Sequence, residues 1–274
     1  MKISFSYDCY NIFKDWVNSM KRNRGIKRII LLAIVTGIFI FSFLLDKKKV
    51  DTIPVSYFKS NEDYSTFVRN YNSYPEELID MFSRNPDMAE YILGYPEKKG
   101  KVYSDTIGQI ERGEVPLLLQ YDVRWGYGFY GDDVIAINGC GPTALSMVIA
   151  YLTHNNTITP YVVAQYSNEH GYYETGIGSS WNLMTTGSIH FGIIGNSIPL
   201  SKDRIYQELE SGHPIICSMG PGAFTRTGHF IVLTKIEDGR IKVNDPNSLE
   251  RSRVLWDYET LSSQIKGLWA FEKV

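Results

Sequence analysis

The sequence is poor in cysteine, and the three that it has, Cys9, Cys140 and Cys217, lie far apart. No two of them form a Cys-x-x-Cys pair, which argues against a cysteine zinc site. The odd, low count argues against a disulfide framework, although pairing of Cys140 with Cys217 stays open. A Walker A run and a cluster of metal-binding residues are also missing, so no cofactor is implied.

The chain also has no excess of positive charge. Its 28 Lys and Arg against 30 Asp and Glu give a formal net charge of -2. This excludes the basic footprint of a nucleic-acid-binding protein, and no nucleic-acid partner is expected. Aromatic residues make up 14% of the chain, with 19 Tyr, which is enough for a sizeable core or a groove lined with rings.

One long apolar run stands near the N-terminus, at residues 29–45, and contains no charged residue. At about 1.5 Å per residue it reaches about 25 Å, the short end of a bilayer span. Basic residues flank it on both sides and can snorkel to extend it. The run is longer than a usual signal-peptide core and no small-x-small cleavage site follows it. We therefore expect an uncleaved signal anchor at 29–45, with a cleaved signal peptide as the alternative.

The flanking charges predict the orientation of this anchor. Five basic residues precede the apolar run within residues 21–28, and three follow it at 47–49. The excess on the leading side favours a cytoplasmic N-terminal segment, residues 1–28. The expected protein is single-pass, with the bulk of the chain extracytoplasmic and membrane contact through the N-terminal helix. Its oligomeric state is not predicted.

Beyond the anchor, residues 46–114 are predicted to form a stalk with short helices, and residues 115–274 a catalytic domain. The stalk helices are expected at 74–82 and 85–93, the second ended by Gly94 and Pro96. Helices followed by strands, without strict alternation, predict an α+β domain. Its elements are expected as helices near 140–153, 158–168 and 201–211, and as strands near 214–218, 229–236, 240–243, 252–256 and 268–271.

Cys140 stands in the run Asn-Gly-Cys-Gly-Pro-Thr-Ala, directly before an apolar stretch that is predicted to be helical. This places a lone thiol at a helix N-terminus. Unpaired backbone N–H groups and the helix dipole at that position favour a thiolate, the nucleophilic form of cysteine. Cys217 lies in a predicted strand, where cysteines are usually small apolar core residues.

A thiolate nucleophile needs a base and a group that orients the base. Of the five histidines, His229 opens an apolar strand directly after Gly228, whereas the other four are read as surface, turn or core residues. The turn at 237–239 predicts a hairpin that brings His229 and Asp245 to the same open end. Asp245 can there accept from the ring of His229, or it can form an Asx turn before Pro246, and the two roles are compatible.

An oxyanion donor is the fourth requirement. Gln120 lies twenty residues before Cys140, just past an apolar run, and is a candidate together with the backbone N–H of Cys140. The loop 220–228 before His229 is rich in glycine, and it is read either as a mobile lid or as a plain loop.

These motifs occur in a characteristic order: Gln-x-Asp-x-x-Trp at 120–125, Gly-Cys-Gly-Pro-Thr-Ala at 139–144, Gly-His-Phe at 228–230 and Asn-Asp-Pro at 244–246. As an ordered set over residues 115–271 they resemble bacterial papain-like cysteine peptidases related to the double-glycine, bacteriocin-leader-processing peptidases. The helices near 74–96 resemble a segment that precedes this domain in some relatives.

The resemblance implies a papain-like fold behind the transmembrane helix and a thiol hydrolase that cleaves peptide or amide bonds. It gives Cys140 the role of nucleophile, His229 that of base, Asp245 that of orienting group and Gln120 that of oxyanion support. The implied partner is a peptide or protein substrate. Two alternatives remain: a thiol acyltransferase or transpeptidase on the same fold, and a catalytically silent binding module.

Overall fold

The computed structural model describes residues 53–274, and residues 55–274 form one compact unit. The predicted N-terminal segment and signal anchor, residues 1–28 and 29–45, lie outside the described residues. Within residues 53–274, every helix is too short or too polar to cross a membrane. The boundary predicted between stalk and catalytic domain, at 114/115, stays a prediction.

Within residues 53–274 the helices are short, with one exception, the 14-residue helix that begins at Cys140. In chain order the α-helices are α1 Asn61–Arg69, α2 Glu76–Arg84, α3 Ala89–Lys98, α4 Ile135–Asn138, α5 Cys140–Thr153, α6 Pro160–Glu169, α7 Lys202–Glu210, α8 Leu249–Arg253 and α9 Tyr258–Ser262. Single 3-10 turns lie at Val55–Tyr57, Tyr71–Ser73, Pro86–Met88, Trp181–Leu183 and Gly187–Phe191.

The main sheet has six strands in the order β5-β10-β6-β7-β8-β9, and all neighbours in it are antiparallel. Its strands are β5 Ile193–Ser197, β6 Ile215–Met219, β7 His229–Glu237, β8 Arg240–Asn244, β9 Leu255–Trp256 and β10 Ile265–Lys273. Two small ribbons pair β1 Phe129–Tyr130 with β2 Asp133–Val134, and β3 Tyr173–Glu174 with β4 Gly178–Ser179.

Each face of this sheet is covered by a different helix, because the side chains of its strands alternate. Phe230 and Val232 of β7 belong to the core that contains α5, whereas Ile231 and Leu233 belong to the core that contains α7. Residues 141–150 of α5 are all buried, as expected for a helix that is apolar on every side. The predicted α+β architecture is therefore confirmed.

The predicted helices 140–153, 158–168 and 201–211 correspond to α5, α6 and α7. The start of α6 follows its sequence signature: Thr159 is the N-cap, its side chain accepts from the N–H of Val162, and Pro160 is the first helical residue. The edge strand β5 was not predicted. Its sequence, Ile-Ile-Gly-Asn-Ser, combines two apolar residues with a glycine and two polar residues, so it does not indicate a strand by itself. The strand forms by pairing with β10.

The predicted end of the second stalk helix is wrong. Gly94 and Pro96 do not stop α3, which continues to Lys98. Tyr91, one of its buried residues, donates from its hydroxyl to the carbonyl of Gly126, and Tyr127 donates back to the carbonyl of Tyr91. A side chain at Gly94 would meet the Tyr127 hydroxyl at 2.4 Å. Tertiary packing therefore overrides the helix-breaking tendency of both residues.

The hairpin predicted at 237–239 is confirmed. Glu237 pairs with Arg240, and Asp238 and Gly239 both have positive φ, as a tight two-residue turn requires. The strand predicted at 252–256 is wrong over its first half. Ser248 caps α8 by accepting from the N–H of Arg251, so the chain is helical to Arg253 and only Leu255–Trp256 pairs as β9.

Candidate active site

Cys140 is the first residue of α5 and follows the N-cap residue Gly139. The chain reaches it through the short helix α4, and the carbonyl of Gly139 accepts from the N–H of Thr143. The N–H groups of the first helical turn have no partner within a helix, so they point toward the region around the sulfur. Cys140 is half-buried and its thiol is free, as is that of Cys217.

His229 is the first residue of β7, and its side chain is almost fully buried. Its Nε2 atom lies 2.7 Å from Oδ1 of Asp245. The Cys140 side chain is near enough to the ring to raise its pKa, and the two residues line the same two cavities. Since Nε2 is engaged by Asp245, Nδ1 is the nitrogen that remains for Cys140. The structure thus brings together three of the four residues predicted from the sequence.

Asp245 follows β8 and has no exposed surface. Its Oδ1 atom accepts from the backbone N–H of Asn247 at 2.8 Å as well as from His229. Its own N–H donates to Oγ of Ser252. The Asx turn and the contact with the histidine therefore coexist, as the sequence allowed.

Gln120 is 2% exposed and lies in the same region. Its backbone N–H donates to the carbonyl of Pro246, one residue beyond Asp245, at 2.8 Å. Its Nε2 atom donates to the carbonyl of Ala136 at 2.6 Å, and the carbonyl of Ile137 lies at 3.4 Å. Gln120 therefore connects the segment after β8 with the helix that leads into Cys140.

The electrostatics of the pair follow from burial and opposite charge. Burial alone lowers the pKa of His229, but the charge of Asp245, its hydrogen bond and the Cys140 sulfur outweigh burial and raise that pKa well above its usual range. Burial raises the pKa of Asp245, and the charges and hydrogen bonds of His229 and Arg251 lower it below its usual range. The arrangement favours an imidazolium next to a carboxylate at neutral pH.

Arg251 was not found from the sequence. Its Nε atom donates to Oδ2 of Asp245 at 2.5 Å, and its side chain is 20% exposed. The available signal was Ser248, two residues after Pro246, which is a possible N-cap, whereas residues 252–256 predict a strand. The helix that begins after Ser248 turns residue 251 back toward residue 245.

Two cavities meet at Cys140 and His229, with volumes of about 580 Å³ and 360 Å³. Gln120 and Asn247 line the smaller one, and Trp181 and Tyr173 line the larger one. Glu77 of α2 lines both. The stalk segment therefore supplies part of the wall beside the candidate nucleophile.

The glycine-rich loop 220–228 borders the smaller cavity and is held at three points. Phe224 is buried and packs on the ring of Trp256, with ring centroids 4.5 Å apart. Arg226 lies 3.7 Å from Asp80 of α2. The side chain of Gln264 also accepts from the N–H of Ala223. These contacts anchor the loop to the sheet and to α2.

The rival residues lie elsewhere. Cys217 is in the middle of β6, fully buried in the core on the α7 side of the sheet, and burial raises the pKa of its thiol. His213 bonds to Glu208, and His170 and His190 both stack on the ring of Tyr166. Within residues 53–274, no three His, Cys, Asp or Glu side chains form a group that could hold a metal ion.

The sequence matches the model of the Peptidase_C39-like family over residues 113–272. No curated protein matches the chain. Among solved structures, the chain is similar to the peptidase domain of Streptococcus ComA, a bifunctional ABC transporter involved in a quorum-sensing pathway. That pair is 17% identical, with a TM-score of 0.39, over 57% of the present chain and 96% of that domain.

A C39-like peptidase from Bacillus anthracis is 14% identical, with a TM-score of 0.40, over 59% of the present chain and 96% of that structure. The family match covers more than half of the chain and includes every motif on which the resemblance was based. The helices α1 to α3 lie outside it. The chain therefore belongs to the Peptidase_C39-like family, whose members have the α+β, papain-like cysteine peptidase fold.

Proposed function

We propose that the protein is a membrane-anchored cysteine peptidase that cleaves peptide or amide bonds with Cys140 as nucleophile. The observation that carries the proposal is the 2.7 Å contact between Nε2 of His229 and Oδ1 of Asp245, with Cys140 as the other partner of the ring. A nucleophile, a base and a group that orients the base are then within contact of one another, as acyl transfer requires.

The resting site holds the Cys140 sulfur as a thiolate beside the imidazolium of His229. The buried carboxylate of Asp245 stabilises the positive ring and fixes its orientation. The first turn of α5 supplies backbone N–H groups and the positive end of the helix dipole near the sulfur. The opposite charges of His229 and Asp245 and the 2.7 Å hydrogen bond between them support the charged forms of this pair, against the effect of burial.

In the acylation step, the thiolate attacks the substrate carbonyl and a C–S bond forms. The negative charge that develops on the carbonyl oxygen is stabilised by the backbone N–H of Cys140 and by Nε2 of Gln120. One N–H of that amide bonds to the carbonyl of Ala136 at 2.6 Å, and the other would exchange its long contact with the carbonyl of Ile137, at 3.4 Å, for the oxyanion. The C–N bond then breaks, and His229 gives the proton on Nδ1 to the leaving amine.

In the deacylation step, His229 is neutral and accepts a proton from a water molecule that attacks the thioester. The C–S bond breaks, the carboxylic acid product leaves, and the thiolate and imidazolium are restored. Asp245 holds Nε2 of His229 throughout, so the ring keeps Nδ1 toward the sulfur in both steps.

The two cavities support a peptide rather than a compact small molecule as substrate. Cys140, His229 and Glu77 line both cavities, while Tyr173 and Trp181 line only the larger one and Gln120 and Asn247 only the smaller one. An extended chain can place residues in both while its scissile bond lies at the sulfur. We further propose that residues 29–45 anchor the protein in the membrane, with residues 55–274 on the extracytoplasmic side.

The test is turnover of a library of internally quenched peptides by the full chain. Cys140→Ala and His229→Ala are each expected to abolish cleavage, while Cys217→Ala retains it. Cleavage by Cys140→Ala at the wild-type rate would end this mechanism. A second arm adds a primary amine: an amide of that amine among the products would mean acyl transfer rather than hydrolysis.

A further inference from the structure

Asp245 is a buried carboxylate with a complete set of partners. It has no exposed surface, and its Oδ1 atom accepts from His229 and from the N–H of Asn247. Its Oδ2 atom accepts from Nε of Arg251 at 2.5 Å. Two opposite charges thus face one carboxylate, and only one of them, His229, also contacts Cys140.

Arg251 is held in place by contacts that do not involve Asp245. Its backbone N–H donates to Oγ of Ser248, and its carbonyl accepts from Nε1 of Trp256. Its guanidinium lies over the ring of Phe224, 5.9 Å from the centroid. The backbone of Arg251 is therefore held by α8 and β9, and its side chain packs on the loop 220–228 as well as on the carboxylate.

We propose that Arg251 is a positioning residue for the candidate reaction, which holds the carboxylate of Asp245 in its ionised form and aimed at His229. The inference rests on the proposed function. Without Arg251, Oδ2 would lose its partner and the buried carboxylate would keep one counter-charge, His229, instead of two, so it would take up a proton more readily. A protonated Asp245 would no longer stabilise the imidazolium that accompanies the Cys140 thiolate.

The expected pH dependence follows from the groups around Asp245. His229 of β7 and Arg251 of α8 both lower its pKa, burial raises it, and the phenol of Tyr121 is near enough to feel its charge. Cys140 acts on it through His229. Burial raises the pKa of Asp245, and the positive charges of His229 and Arg251 oppose that effect. Removal of Arg251 takes away one of these two charges, so the pKa of Asp245 rises. The acid limit of thiolate reactivity should move to higher pH with it.

The experiment measures the rate of Cys140 alkylation by iodoacetamide between pH 4 and 9, which needs no substrate. Arg251→Met is compared with Arg251→Lys, which keeps the charge, and with Arg253→Met, which removes a charge from an exposed position on the same helix. We expect Arg251→Met to move the acid limb up by about one pH unit, which is about a tenfold loss of rate at pH 5. Arg251→Lys should keep most of the wild-type alkylation rate at pH 5, and Arg253→Met should leave the pH dependence of that rate unchanged.

An unshifted acid limb in a folded Arg251→Met protein would overturn the proposal, even if the protein melts at a lower temperature. So would an equal shift in Arg253→Met. If Arg251→Met does not fold, the carboxyl carbon-13 titration of Asp245 in the wild-type chain decides, with Asp245→Asn for assignment. A midpoint clearly below the ordinary value of about 4 is expected, and a midpoint at or above it would contradict the role.

Different results would contradict the proposed peptidase mechanism and the proposed role of Arg251. A wild-type Cys140 that reacts no faster than an ordinary thiol at pH 6 would contradict the proposed peptidase mechanism. The Asp245 titration, compared between wild type and Arg251→Met, would still report whether Arg251 holds the carboxylate ionised.

Discussion

The side-chain nitrogen of Gln120 lies 2.6 Å from the carbonyl oxygen of Ala136, at the start of the turn that leads into Cys140. The contact gives this buried amide a fixed direction, because an exchange of its oxygen and nitrogen would set two oxygens against each other. It also means that Gln120 has a structural part as well as the proposed part in the reaction.

The two parts of Gln120 can be separated by experiment. Gln120→Ala is expected to lower kcat for peptide cleavage by about 10²- to 10³-fold, the usual loss for one oxyanion donor. Alkylation of Cys140 by iodoacetamide forms no oxyanion, so its rate should stay within about threefold of wild type. Equal losses in both assays would mean that Gln120 only supports the fold around Cys140. Leu119→Ala, one residue earlier, is the control for general damage to this segment.

Cysteine mapping tests the choice of nucleophile. At pH 7 and short exposure to iodoacetamide, we expect modification of Cys140 and not of Cys217, because Cys217 is fully buried and its thiol is held protonated by burial. Mass-spectrometric peptide mapping of the full chain separates the two sites and also reports Cys9. Preferential modification of Cys217 in the folded protein would exclude the proposed assignment.

The pKa of His229 should depend on the sulfur of Cys140. Both the hydrogen bond and the charge of that sulfur raise the pKa of the ring, so Cys140→Ala should lower it, and Cys217→Ala should leave it unchanged. Histidine titration by NMR measures this, with His229→Gln to assign the signal. An unchanged pKa in Cys140→Ala would show that the two side chains do not interact.

The raised pKa of His229 makes the free energy of unfolding depend on pH in a defined window. The pKa of His229 is raised on folding, so its contribution is complete below the unfolded value of about 6.5 and is lost as pH rises through the folded value. The free energy of unfolding of wild type, measured against His229→Gln, should therefore fall as pH increases above about 6.5. Denaturant unfolding at pH 6 and pH 9 measures the difference, and a gap that widens toward pH 9 would contradict the assignment.

The membrane orientation is tested with a reporter fused after residue 274 that is active only outside the cytoplasm. An active reporter is expected, because the basic residues are concentrated before the apolar run 29–45. The matched control removes the excess of basic residues before the apolar run. Substitution of the five basic residues in 21–28 by Gln should reduce reporter activity. An inactive reporter on a stable, membrane-bound fusion would place the domain inside.

Local signals in the sequence were sufficient for much of the fold. The caps at Thr159 and Pro160, the apolar stretch after Cys140 and the Asp238-Gly239 turn each act over a few residues, so they predict the same elements in any context. The elements that were predicted wrongly or not at all depend on long-range contacts. Pro96 within α3 and the edge strand β5 depend on partners far along the chain, Tyr127 and β10, which no local pattern reveals.

The candidate site shows the same division. Cys140, His229, Asp245 and Gln120 were accessible because each stands beside a local signal or in a motif. Arg251 was not, since it contacts Asp245 because Ser248 caps a helix over Leu249–Arg253, whereas residues 252–256 predict a strand. The contribution of Glu77 to the cavity wall was also hidden, because α2 precedes the matched family region by about thirty residues.

The sequence by itself determined that a thiol starts a helix and that His229 and Asp245 lie toward the open end of one hairpin. Only the tertiary structure decided that the ring of His229 reaches the carboxylate of Asp245. The register of β7 and β8 shifts between Leu233 and Lys235, so that Val232 pairs with Asn244, the last residue of β8 and the neighbour of Asp245. Such an irregularity moves every later residue of β8 by one position relative to β7, and it has no signal in the sequence.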